Sequence, residues 1–232
     1  MDGTTAVVTG ASRGIGEQVA RTVADHGAHV VICAREADPL EAVETAIREA
    51  NGTVTAMRAD VRDEFDVERL LETASRAGDE SGVDYVVANA GVYHGSPGET
   101  PLTTESYAAF DDHMRTNARG VFATLREAVP HLTDDARLVV PSGSVARTVQ
   151  SGFGSYATSK AAAEAIARGF AADLDQPVAI VDPGQVATSL SGGGGRDAKA
   201  AANMIHWVLT QPDPKAIDGK VVSASAWREA TR

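Results

Sequence analysis

One cysteine, Cys33, stands among 232 residues, so no disulfide can form within the chain. It lies in a β-branched run, where a small buried side chain is the ordinary reading and a nucleophile the exceptional one. Lysine is nearly as scarce: Lys160, Lys199, Lys215 and Lys220 are the only four, and arginine supplies the other fixed positive charges. Against 32 acidic residues, the 21 basic ones leave a net charge of −11 at pH 7. Without a basic footprint, neither nucleic acid nor an anionic membrane is an expected partner. No apolar run approaches the ~20 residues that a membrane-spanning helix needs. The six histidines show no metal-ligand spacing and the acidic residues are scattered, so no metal is expected. A Gly-x-Ser-x-Gly elbow, the mark of one hydrolase class, is missing too.

Met1-Asp2-Gly3-Thr4 runs directly into an apolar stretch with no basic leader. With the lone cysteine, this gives the expectation of a reducing, cytoplasmic setting. An acidic, lysine-poor surface suits a high-salt cytoplasm, and suits coding bias in a GC-rich genome equally well.

What is present reads as an ordinary globule, 43% hydrophobic and 23% charged. Apolar runs at 6–9, 29–33, 53–58, 85–88, 137–140, 178–181 and 220–223 read as strands. Amphipathic stretches at 15–26, 39–50, 64–77, 107–132, 156–174 and 197–209 read as helices, the fourth broken near Asn117. Short continuous strands alternating with helices predict right-handed βαβ units and a parallel seven-stranded sheet covered on both faces. No linker divides the chain, so one doubly wound α/β domain over 1–232 is expected. In such a fold, ligands bind beyond the carboxyl ends of the strands.

The first strand runs into Thr9-Gly10-Ala11-Ser12-Arg13-Gly14-Ile15-Gly16. Gly10 permits a tight turn, Gly14 permits close approach of a pyrophosphate, and Gly16 permits close packing of helix on sheet. Tyr156 and Lys160 are four residues apart, hence on one face of a helix. An ammonium about 4 Å from a phenol stabilises its phenolate by up to ~4 kcal/mol at an effective dielectric of ~20. That is an upper bound of roughly three pK units on a group that ordinarily titrates near 10.

The Gly-x-x-x-Gly-x-Gly loop, Asn89-Ala90-Gly91 after the fourth strand and Tyr156-x-x-x-Lys160 occur in the order of the short-chain dehydrogenase/reductase family. The chain resembles the single-domain, Rossmann-type form of that family from about residue 6 to 222. The resemblance implies a nicotinamide dinucleotide along Gly10, Ser12, Arg13, Gly14, Ile15 and Gly16. Asp60 and Val61 would meet its adenine, with Asp60 also a candidate helix start. Asn89, Ala90 and Gly91 would hold its ribose region. Pro183, Gly184, Val186 and Thr188 would hold the nicotinamide carboxamide.

An acid at the end of the second strand would bind the ribose 2′-hydroxyl of NAD. That position is Ala34 here, followed by Arg35. Arg35 and Arg13 are suited to a 2′-phosphate, so NADP(H) is expected over NAD(H).

For catalysis, the resemblance implies Tyr156 as proton donor, Lys160 lowering its pKa and bonding the ribose, and Asn117 holding a water that relays protons. A serine should polarise the substrate oxygen. Ser142 and Ser144 flank the family's commonest spacing; Ser144 is favoured because Ser-Val-Ala resembles the run after the family's catalytic serine. Arg147 stands where glycine is frequent.

The implied function is NADP(H)-dependent interconversion of a ketone or aldehyde and an alcohol. An oxidative alcohol or sugar dehydrogenase, or a catalytically silent NADP(H)-binding sensor, remains open. A short lid at about 189–215, with a glycine run at 192–195 read as a hinge or a plain connection, predicts an open pocket for varied or bulky carbonyl compounds. Tyr93, His94, Val145, Gln150, Phe153 and Gln185 are its candidate walls, and Trp227 a candidate pocket closure or subunit contact. Apolar positions in 118–132 and 156–174 exceed what sheet packing needs, and the resemblance implies a homodimer or homotetramer through these helices.

Overall fold

The computed structural model describes residues 1–78, 81–148, 150–188 and 194–232. Seven parallel strands form one sheet: β1 (Thr5–Thr9), β2 (His29–Ala34), β3 (Thr53–Arg58), β4 (Val83–Val87), β5 (Leu132–Pro141), β6 (Val178–Asp182) and β7 (Val221–Ser223). Their order is β3-β2-β1-β4-β5-β6-β7, so the direction of winding reverses between β1 and β4. A crevice opens at such a reversal, beyond the strand ends. In register, Val8 of β1 pairs with Ile32 on one side and Val87 on the other.

The strand side chains alternate between two cores. Ala6, Val8, Val30 and Ile32 face α1 (Gly14–Asp25), α2 (Ala37–Glu49) and α7 (Ala198–Leu209). Val7, Val31 and Cys33 face α3 (Glu64–Ala74), α5 (Gly120–Ala128) and α6 (Gly154–Asp173). This two-sided burial is why the strands read as continuous apolar runs rather than as alternating ones. Burial pushes the Cys33 thiol up to about 12, as expected of core filler rather than a nucleophile.

The main differences from the sequence reading are three. β5 begins at Leu132 rather than 137, its polar opening residues carried by pairing of Leu132 with Val83. The helix expected at 107–132 is broken where expected, by a π-helical turn (Met114–Arg119) that holds Asn117 between α4 (Tyr107–His113) and α5, but α5 ends at Ala128. A further helix, α8 (Ala224–Ala230), starts at Ser223, whose hydroxyl accepts from the Ala226 amide at 3.2 Å.

α7 falls inside the segment expected to cover the substrate, yet Ala202, Met204, Ile205 and Leu209 are buried in the first core. Residues 189–193, with Gly192 and Gly193 of the glycine run, lie outside the described residues. Trp227 packs against the first core, and its indole N–H has no hydrogen-bond partner among the described residues. No helix among the described residues is long and apolar enough to cross a membrane.

Candidate active site

A cavity of about 570 Å³ occupies the crevice above β1 and β4. At its floor the chain turns through Gly10 with φ +66°, where a Cβ would stand 2.7 Å from the Ala90 backbone. A Cβ on Gly16 would collide with the Gly10 carbonyl and the Asn89 side chain. Asn89 holds that turn: its amide nitrogen donates to the carbonyls of Thr9 at 2.9 Å and Gly10 at 3.1 Å. The Thr9 hydroxyl accepts in return from the amides of Asn89 and Ala90, each at 3.1 Å. The residue expected to hold a ribose is thus also the brace between the two loops.

α1 begins at Gly14, and Arg13 at its N-cap makes no side-chain capping bond. The first-turn amides of the helix are therefore available to an anion. Arg13 and Arg35 both line the cavity. Across it, a Cβ on Gly14 would approach the Thr188 methyl to 3.2 Å, so the glycine loop and the segment after β6 face each other. Backbone amides at a helix start, a turn with no room for side chains and two flanking guanidinium groups fit the phosphates of a dinucleotide.

Most of the residues expected to bind cofactor line this cavity, including Ser12, Ile15, Val61, Gly91, Pro183 and Gly184, with Val186 beside them. Asp60 does not. Its carboxylate is taken by Arg62, at 2.6 Å, and Arg62 also reaches Asp112 at 2.7 Å. Burial opposes the Asp60 charge, but the Arg62 hydrogen bonds outweigh it and hold the carboxyl below its ordinary range. Nor does Asp60 cap the next helix. Asp63 does, accepting from the amides of Phe65 and Asp66. Glu36, next to Arg35, also borders the cavity and was missed; its adjacency to the expected phosphate-binding arginine was the available signal.

At the other end, Ser144, Tyr156 and Lys160 line the same cavity. Lys160 is buried and its Nζ donates to the Pro141 carbonyl at 2.8 Å. Burial brings its ammonium down to about 8, with Glu164 pulling the other way. Burial lifts the Tyr156 hydroxyl to about 12, and the adjacent Tyr93 adds to the rise. Desolvation thus acts on both groups against the charge of each, opposing the acidifying effect expected of Lys160 on the phenol.

The two serines part company. Ser142 also borders the cavity but is buried, and its hydroxyl donates to Glu164 Oε1 at 2.7 Å. Ser144 is exposed at the start of a short 3₁₀ turn, Ser144–Ala146.

Asn117 lies in the π-helical turn, fully buried and outside the cavity wall. Its Oδ1 accepts from the Val92 amide at 2.8 Å, and its Nδ2 donates to the Val92 carbonyl and Ser159 Oγ, each at 2.9 Å. Both amide hydrogens are thereby used, so this side chain has no donor left for the expected water. Ser159 passes the link on to the Tyr156 carbonyl at 2.8 Å.

Of the candidate wall residues, Tyr93, Val145, Gln150, Phe153 and Gln185 line the cavity. His94 does not; its Nε2 lies 2.8 Å from Asp112. The rings of Tyr93 and Tyr156 are 4.7 Å apart. Among the described residues, no group of three or more histidine, cysteine or acidic side chains is placed to hold a metal.

A family model for short chain dehydrogenases matches residues 4–198. The chain is 35% identical over 205 residues to NADPH-dependent aldehyde reductase 2, chloroplastic, of Arabidopsis thaliana, covering 81% of this chain and 74% of that protein. A dehydrogenase/reductase from Sinorhizobium meliloti superposes with a TM-score of 0.86 at 31% identity, over 97% of this chain and 96% of that one. A short chain dehydrogenase from Burkholderia cenocepacia, solved in complex with NADP, gives 0.86 at 27% identity over 97% of each chain.

Proposed function

The chain belongs to the short-chain dehydrogenase family, and from that premise we propose that it is an NADP(H)-dependent oxidoreductase interconverting a ketone or aldehyde and an alcohol. The observation that carries this reading is the convergence of Ser144, Tyr156 and Lys160 on the cavity that the glycine loop opens. Gly10, Gly14, Arg13 and Arg35 would hold the dinucleotide phosphates, and Val186 and Thr188 the carboxamide. When bound, the dinucleotide supplies or accepts the hydride.

The remaining chemistry belongs to the chain. Ser144 hydrogen-bonds the substrate oxygen. Tyr156, protonated at neutral pH, gives its proton to that oxygen as negative charge develops there. Lys160 supplies positive charge nearby and favours the phenolate that results. Asn117 keeps the Tyr156 segment against Val92 through Ser159.

Two features support the finer assignments. The phosphate end carries Arg13 and Arg35 against a single acid, Glu36, which favours a 2′-phosphate; the Arabidopsis relative is named as NADPH-dependent and the Burkholderia structure holds NADP. Around Tyr156, the wall residues Val92, Tyr93, Val145, Gln150, Phe153 and Gln185 are uncharged. That supports neutral, bulky carbonyl compounds over carboxylates or phosphates, for which these wall residues offer no cation to pair with. Phe122 on α5 and Val129 just after it, 44% and 40% exposed, support the expected self-association.

The test is oxidation of NADPH and NADH with a panel of neutral and anionic carbonyl compounds, beside a Tyr156→Phe variant. Turnover with neutral compounds, lost in the variant, is expected. Cofactor binding without turnover across the panel would favour the silent sensor instead.

A further inference from the structure

Arg147 follows the 3₁₀ turn that begins with Ser144, and it does not line the cavity. Its guanidinium forms ion pairs with two carboxylates from different parts of the fold, Glu164 on α6 and Asp182 at the end of β6. Glu164 is 1% exposed and Asp182 7%. Each acid holds a further piece of the site. Glu164 Oε1 accepts from Ser142 Oγ at 2.7 Å, and its Oε2 lies 3.4 Å from Arg168. Asp182 Oδ1 accepts from the Gly184 amide at 3.0 Å.

Three segments therefore meet at one side chain. They are the loop carrying Ser144, the helix carrying Tyr156 and Lys160, and the loop from Pro183 to Thr188. Two buried carboxylates left to themselves would repel each other and pay for lost hydration. A planar guanidinium, with five donors in a fork, satisfies both at once, whereas an ammonium is a single point charge on a flexible stem.

We propose that Arg147 is a positioning residue, whose bridge between Glu164 and Asp182 sets the Ser144 turn, the Tyr156 helix and the 183–188 loop relative to one another. The inference rests on the oxidoreductase reading for its catalytic consequence, but the brace is measurable without turnover. Misplacing reacting groups by an ångström costs on the order of 100-fold in rate, and these loops carry groups from both halves of the reaction.

The experiment compares wild type, Arg147→Met and Arg147→Lys by amide hydrogen exchange and by steady-state kinetics. In Arg147→Met, exchange should rise by at least about tenfold at Ala146 and Gly184, whose amides are bonded within the two loops, with Val8 of the central strand unchanged. The kcat should fall about 100-fold while the KM for the carbonyl compound moves less than about threefold. Arg147→Lys should recover only part of the turnover and leave at least one of the two loops exchanging fast. If Arg147→Met does not fold, Arg147→Lys is read by the same amides. Wild-type exchange at both Ala146 and Gly184 in a folded variant overturns the proposal, and so does a kcat within about threefold of wild type. A wild type that binds NADPH but reduces no carbonyl counts against the proposed reaction instead, and the exchange data still decide the brace.

Discussion

The hydroxyl of Ser142 donates to Glu164 Oε1 at 2.7 Å, in the interior between β5 and α6. That bond separates two serines which the sequence leaves side by side. Ser142→Ala removes a donor from a buried carboxylate and should cost about 1–3 kcal/mol in urea unfolding, with turnover changed only severalfold. Ser144→Ala should lower kcat by roughly 100- to 1,000-fold, the scale of losing one donor to a developing oxyanion, with unfolding unchanged. Loss of turnover on replacing Ser142 alone would transfer the role.

Lys160 gives stability away. Its ammonium falls from an ordinary 10.5 to about 8 because it is buried. Between those values the folded state binds fewer protons than the unfolded one, so stability rises as pH climbs from about 8 toward 10. Above 10 the raised hydroxyl of Tyr156 acts in the opposite sense. At pH 7 the penalty is on the order of 3 kcal/mol. Lys160→Met leaves the Pro141 carbonyl without its donor, worth about 1 kcal/mol. The variant should still be more stable than wild type at pH 7 by about 1–2 kcal/mol, with turnover lost and the rise above pH 8 flattened. A variant less stable at pH 7 would contradict this account.

Arg35 and Glu36 are adjacent at the phosphate end of the cavity with opposite charges. Arg35→Ser removes the cation and leaves the acid. The KM for NADPH should rise about 10- to 100-fold, the worth of a charge-assisted hydrogen bond, while that for NADH holds or falls. Equal effects on the two cofactors would show that Arg35 does not read the 2′-phosphate.

How far the fold was legible follows from which distances along the chain matter. Strand runs such as Val30–Val31–Ile32 declare themselves because both faces are buried, and Tyr156 with Lys160 because one helical turn fixes their relation. The polar opening of β5, Thr133 to Asp135, hides its strand character, which comes only from pairing with β4. Glu164 and Asp182 lie 17 and 35 residues from Arg147, so nothing local announces their bridge. Tyr156 and Lys160 were visible as a pair, but their protonation was not, because desolvation depends on everything packed around them. The same holds for Asp60, whose partner Arg62 is two residues away yet takes it out of the cavity wall.

His113 is a last case of burial setting a charge, and its ring lies 6.0 Å from that of Tyr156. It is fully buried, with Nδ1 2.7 Å from Ser155 Oγ and 3.3 Å from Glu105, while its Nε2 accepts from the His94 amide at 3.0 Å. Burial, and then the charge of His94, hold its pKa below the ordinary 6.5 against the pull of Glu105 and Asp112. A depressed histidine is neutral in the fold and takes up its proton more readily on unfolding. Stability should therefore fall as pH drops below 6.5 toward the folded value, by at most about 1.4 kcal/mol per pH unit for this one group. His206, lowered by burial and by His26, adds its own share. His113→Gln retains that share, so the difference in slope of unfolding free energy between pH 7 and 5 isolates His113. Wild type should lose stability more steeply than the variant over that interval. Parallel slopes would mean that His113 does not carry the acid sensitivity.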